Sequence, residues 1–122
     1  MAYVDGFIVA VPKKNIAAYR KMSTKAGKVW REYGALDYRE WVADDVKPGK
    51  LTSFPRAVKL KPGETVVFAW ITYKSRAQRD TINARVMTDP RLKVMMESME
   101  SKSAPFDGKR MIYGGFESLV KV

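Results

Sequence analysis

The chain has 122 residues, 23 Lys plus Arg against 13 Asp plus Glu, a net charge of +10, and neither Cys nor His. That length suits one domain with a real core, since folding removes about two-thirds of the unfolded surface. The missing Cys excludes disulfides and thiol nucleophiles, and the missing His removes the commonest general base and the commonest metal ligand.

Taken in chain order, residues 3–11 (YVDGFIVAV) predict a strand that Pro12 ends. Asp5 interrupts this apolar run and no basic segment precedes it, so it does not read as an export signal. No stretch reaches the ~20 apolar residues of a membrane span. A cytoplasmic protein without membrane contact is expected. Residues 14–33 predict a long helix. At 100° per residue, Ile16, Tyr19, Met22, Ala26, Val29, Trp30 and Tyr33 share one arc, and the basic residues from Lys13 to Arg31 share the opposite one. Gly34 is a natural stop. Residues 35–43 predict a second strand. Residues 44–64 then form a connection far longer than a hairpin loop, with turn signals at Lys47-Pro48-Gly49 and Lys61-Pro62-Gly63. A short helix within 53–60, with Pro55 in its first turn, and an arm packing on a partner subunit are expected there. Residues 65–73 (TVVFAWITY) are the clearest strand. Ser75 opens a second helix, with Gln78 completing a capping box, and Pro90 breaks it. A short helical piece over 92–99 follows, then an Asp107-Gly108 turn into a last strand over 109–120.

The order β-α-β-β-α-β predicts one ferredoxin-like α+β domain over residues 1–122, a four-stranded antiparallel sheet with its helices on one face. Strand alternation sets Tyr3, Phe7, Val9 and Val11 against Val4, Ile8 and Ala10, and Val66, Phe68 and Trp70 against Val67, Ala69, Ile71 and Tyr73. Both faces are apolar, yet two helices cover only one. A second copy of the sheet is the simplest cover, so a homodimer closing as a dimeric α+β barrel is expected.

The opening YVDGF, the helix segment AGKVWREYGAL, the stretch from VADDVKPGK to AVKLKPGETVVF and the closing PFDGKRMIYGGFE resemble the YbaA-like family of uncharacterised bacterial proteins. The resemblance spans nearly the whole chain. It implies the ferredoxin-like fold and the homodimer of the dimeric α+β barrel superfamily, and it implies no activity.

Any catalysis must be carried by carboxylate, Tyr or Lys groups. Superfamily analogy implies a cofactor-free, monooxygenase- or isomerase-like reaction, and no cofactor or metal is expected. Asp5, Glu40 and Glu117 sit among apolar strand residues. Burial would raise a carboxyl's pKa and fit it for proton transfer, although pairing with Arg39 or Arg110 is the commoner fate. Tyr38, Trp70 and Tyr113 are candidate walls of a ligand pocket between sheet and helices, suited to a small anionic or aromatic molecule. Gly6, Gly114 and Gly115 would leave room beneath the helices. Met87, Met95, Met96, Met99 and Met111 suit an adaptable wall or an ordinary core. The charge is localised: residues 13–34 carry +6 and residues 46–64 carry +4. Lys14, Lys21, Lys25, Lys28 and Arg31 would follow the phosphates of RNA if the basic helix bound nucleic acid. No recognition motif for RNA accompanies them.

Overall fold

The computed structural model describes residues 2–122. Its elements are β1 (Tyr3–Pro12), α1 (Ile16–Glu32), β2 (Asp37–Val42), α2 (Phe54–Ala57), β3 (Glu64–Tyr73), α3 (Arg76–Thr88), α4 (Pro90–Met99) and β4 (Ile112–Glu117). The sheet is antiparallel in the order β2-β3-β1-β4, the ferredoxin-like arrangement expected.

The sequence signals act where they were read. Ser75 Oγ accepts from the Gln78 amide at 3.1 Å and starts α3. Asp89 closes α3 and caps α4, accepting from the Arg91 amide at 2.9 Å, with Pro90 at the first helical position. Ser53 caps α2, and Pro55 lies in its first turn. Gly34 takes φ +114° just past α1, where a side chain would be strained.

Two boundaries differ from expectation. Residues 13–15 form a 3-10 turn ahead of α1. The last strand is shorter than 109–120, for two reasons. Residues 108–110 are a second 3-10 turn capped by Asp107. At the other end Glu117 already pairs with Tyr3, so residues beyond it have outrun β1.

Alternation divides the sheet as predicted. Val9, Val11, Val67, Ile71 and Tyr73 face the helices and pack against Tyr19, Val29, Ile82, Val86 and Leu92. The opposite face carries Val4, Ile8, Trp41, Phe68, Trp70, Ile112 and Phe116. Trp41 stacks near Trp70 (ring centroids 5.5 Å apart), and Phe68 packs edge-on to Trp70 at 5.5 Å. Much of this face is open: Trp41 is 48 % exposed, Phe68 43 % and Phe116 61 %.

The long connection does not reach only outward. Its second half folds back over one end of this open face. Val58 is buried against Ala10 and Val66, and Phe54 lies 5.9 Å from Phe68. Arg110 fastens it, donating to the Val58 and Lys59 carbonyls at 2.9 and 2.8 Å while pairing with Glu64 at 2.7 Å.

Candidate functional site

The site begins with a stripe on α1. Tyr19, Ser23 and Gly27 are spaced by four and share the helix face that meets β2. From β2, Tyr38 and Glu40 point back at that stripe, while Asp37, Arg39 and Trp41 point to the open face. Tyr19 donates its phenolic hydrogen to Glu40 Oε1. Tyr38 donates to Oε2 at 3.3 Å, and its hydroxyl lies 3.0 Å from Ser23 Oγ. Gly27 makes this possible: a Cβ there would sit 2.7 Å from the Tyr38 ring.

Glu40 differs from the other sheltered carboxylates. Asp5, Asp37, Glu64 and Asp89 each have an Arg partner within 4.0 Å. Glu40 has none among the described residues and is held by two phenols. Burial raises its carboxyl above the ordinary 4.5, and the hydrogen bonds from Tyr19 and Tyr38 offset part of that rise. Burial first, then the charge of Glu40, pushes the Tyr19 and Tyr38 phenols well above their ordinary range.

Two hollows meet at this cluster. A groove of about 600 Å³ between α1 and β2 is rimmed by Arg20, Lys28 and Arg31. A cleft of about 610 Å³ lies between α1, α4 and the sheet, walled by Phe7, Trp30, Phe106, Tyr113 and the methionines Met22, Met87, Met95, Met96, Met99 and Met111. Tyr19, Ser23, Tyr38 and Glu40 line both. Five of these methionines were singled out from the sequence, and their place here is a cleft wall.

The other predicted residues fall as follows. Tyr38 and Tyr113 line the cleft, Tyr113 stacking 6.2 Å from Phe7. Trp70 also borders it, with its ring on the opposite face of β3 against Trp41. Asp5 is 8 % exposed and belongs to a structural network. It accepts from Arg79 Nε at 3.0 Å, Tyr73 at 3.1 Å and Asn83 at 3.4 Å, and Asn83 in turn accepts from Trp30 at 3.0 Å. Such a paired carboxylate is a poor proton carrier. Glu117 is exposed at the end of β4 and is not sheltered by its apolar neighbours. The expected partners are also corrected: Arg39 pairs with Asp37 and Arg110 with Glu64. The room at Gly115 is filled by Arg79 and Tyr3, and Gly6 and Gly114 face the open side beside Phe116.

Lys14, in the 3-10 turn ahead of α1, and Lys21, Lys25 and Lys28 on α1 stand exposed, without acidic partners within 4.0 Å among the described residues. Arg31 is engaged otherwise, donating to the Ala35 carbonyl at 2.8 Å and to that of Leu36, which closes the turn from α1 into β2. Sequence reading missed Ser23, Gly27 and Arg79. A glycine inside an otherwise strong helix was the available signal for Gly27, because it costs about 1 kcal/mol against Ala and needs a reason.

Among the described residues, no cluster of three or more Asp or Glu is placed to hold a metal ion, and no helix is long and apolar enough to cross a membrane.

Comparison with known proteins agrees with the resemblance read from the sequence. The family described as a protein of unknown function, DUF1428, matches residues 2–108. The uncharacterised protein YbaA of Escherichia coli K12 is 53 % identical over 120 residues, covering 98 % of each chain, and YbaA of Shigella flexneri matches equally. Among solved structures, Rv0793 from Mycobacterium tuberculosis superposes with a TM-score of 0.59 at 12 % identity, covering 99 % of this chain and 98 % of that one. A dimeric ferredoxin-like protein from an uncultured marine organism gives 0.55 at 13 % identity, covering 100 % of this chain and 98 % of that one. At such identities the likeness is one of fold.

Proposed function

The chain belongs to the DUF1428 family of proteins of unknown function, and from that footing we propose that it is a cytoplasmic homodimer holding a small planar organic anion between α1, α4 and the sheet. The observation that carries this is the cleft. Its wall is thioether and aromatic, which adapts to a flat apolar ligand. Its polar groups form two sets, the Glu40 cluster and the paired Asp5–Arg79–Asn83 network, and only the first lacks a cation partner. The rim of the adjoining groove is basic, and Arg20 and Lys28 there attract an anion.

The homodimer rests on the open sheet face. The accessible surface is 8758 Å². A compact monomer of this mass exposes about 6,700 Å². The surplus suits an interface of obligate size, which buries upwards of about 2,000 Å² over two subunits. The dimeric ferredoxin-like neighbour supports the same reading. Packing two sheets face to face leaves both clefts open, because they lie on the helix side.

The test is titration with 1-anilinonaphthalene-8-sulfonate, a planar aromatic anion. One saturable site per subunit is expected, weakened at least tenfold by Met96→Glu, which places a negative charge on an exposed part of the cleft wall. Absence of binding, or binding indifferent to Met96→Glu, contradicts the proposal.

A second reading, RNA held along α1, rests on the exposed lysines Lys14, Lys21, Lys25 and Lys28. It requires RNA retention at ~0.15 M salt. That retention would have to vanish in the Lys21→Glu/Lys25→Glu/Lys28→Glu variant. Its absence in the parent protein removes this reading.

A further inference from the structure

We propose that Glu40 is the proton-transfer group of the cleft, and that the molecule it serves is an aromatic oxo acid with an acidic C–H beside its carbonyl. This rests on the ligand-binding reading above and adds a reaction to it.

Glu40 is unusual in what holds it. A sheltered carboxylate is normally paired with a cation, as the other four in this chain are. An arginine partner fixes a carboxylate in its charged form and lowers its basicity. Glu40 instead keeps its charge with two phenolic hydrogen bonds, from Tyr19 and Tyr38, in surroundings that favour its protonated form. Its carboxyl lines both hollows, so it is sheltered and still reachable. That combination is a poor structural anchor and a competent base. The second requirement of carbon-acid chemistry is a donor for the oxyanion that forms. The Ser23 and Tyr38 hydroxyls, 3.0 Å apart, stand beside Glu40 and supply it. The ligand class follows from the surroundings: the thioether and aromatic wall takes a ring, and Arg20 and Lys28 on the groove rim take a carboxylate.

The step balances without a co-reactant. The Glu40 carboxylate takes the proton from the carbon next to the carbonyl, and the C–H electron pair moves to the carbonyl oxygen as an enolate. Once protonated, Glu40 no longer holds the Tyr38 hydrogen, and the Tyr38 hydroxyl turns to donate to that oxygen. Glu40 then returns the proton to carbon or, through Tyr38, to oxygen. The net change is a keto–enol tautomerisation, with nothing oxidised or reduced.

The test places the protein with phenylpyruvate in D₂O and follows two signals in one sample. Saturation transfer from protein to the ring protons reads binding, and loss of the methylene signal reads exchange. The expected result is binding together with exchange at least tenfold above buffer. Glu40→Gln should bind and exchange at the buffer rate, while Glu40→Asp should retain part of the exchange. Tyr38→Phe should bind and lose about tenfold, and it decides the matter if Glu40→Gln does not fold. Binding without exchange, or exchange that survives Glu40→Gln or is untouched by Tyr38→Phe, overturns the role of Glu40 and leaves the ligand-binding reading intact. No binding of phenylpyruvate overturns the oxo-acid assignment, and the aromatic-sulfonate titration then decides whether the cleft binds at all.

Discussion

At the scale of single residues, Glu40 and Gly27 have opposite visibility in the sequence. Glu40 could be picked out because alternation in β2 places it on the helix side between apolar neighbours. Its partners could not, because Tyr19 and Ser23 come from a helix whose exact rotation over β2 no local pattern fixes. Asp5 and Glu117 had the same local appearance as Glu40. Arg79, 74 positions away in the sequence, decides the fate of Asp5, and the short reach of β1 decides that of Glu117. Two outcomes follow. The Glu40 carboxyl is raised above 4.5 in the folded chain, so the folded state binds its proton more tightly than the unfolded state does. The linkage sign then makes its contribution fall as pH rises from 4.5 through the folded value. Tyr19 and Tyr38, which face it, stay protonated throughout that window. Glu40→Gln should therefore gain stability relative to the parent as pH rises toward 7, in urea melts at several pH values. A difference that stays flat with pH contradicts the raised carboxyl. Gly27→Ala should destabilise by about 1–3 kcal/mol in the same melts despite Ala's better helix propensity, because the Tyr38 ring has to move.

At the scale of elements, caps and breakers were legible because their chemistry is local. Ser75 with Gln78, Ser53 with Pro55, and Asp89 with Pro90 all act within three residues. The residue 44–64 connection was legible as an insertion but not in its path, which depends on a residue beyond the second helix. Arg110 joins Glu64 to the Val58 and Lys59 carbonyls and so pins α2 to the sheet. The Arg110 guanidinium holds the Glu64 carboxyl below its ordinary value, so this tie is present above 4.5 and is lost as pH falls through the lowered folded value. Arg110→Ala should speed amide hydrogen exchange in residues 54–60 at neutral pH while leaving β1 and β3 protected. Unchanged exchange there means the connection is held by Phe54 and Val58 alone.

At the scale of the whole molecule, the ferredoxin-like fold was readable from the order of elements and from strand alternation. The excess of apolar strand residues was readable too, and the structure exposes it as one face carrying Trp41, Phe68 and Phe116. If this face forms the proposed homodimer, Phe68→Asp should give a monomer at micromolar concentration in sedimentation equilibrium, since a charge at the middle of an apolar interface would be unpaired. A parent protein that is already monomeric contradicts the assignment of that face. What composition and periodicity could not reveal is that the helix side also holds unfilled space, because a cleft is a matter of how α1 and α4 diverge over the sheet. The rings of the three tryptophans separate these two sides: that of Trp30 lies on the cleft side, while those of Trp41 and Trp70 pack together on the open face. The most direct measurement is therefore emission from Trp30 alone, in the Trp41→Phe/Trp70→Phe protein, titrated with 1-anilinonaphthalene-8-sulfonate. The account predicts saturable quenching at one site per subunit, weakened by Met96→Glu. Bound dye that leaves Trp30 emission unchanged would put the ligand elsewhere and contradict it.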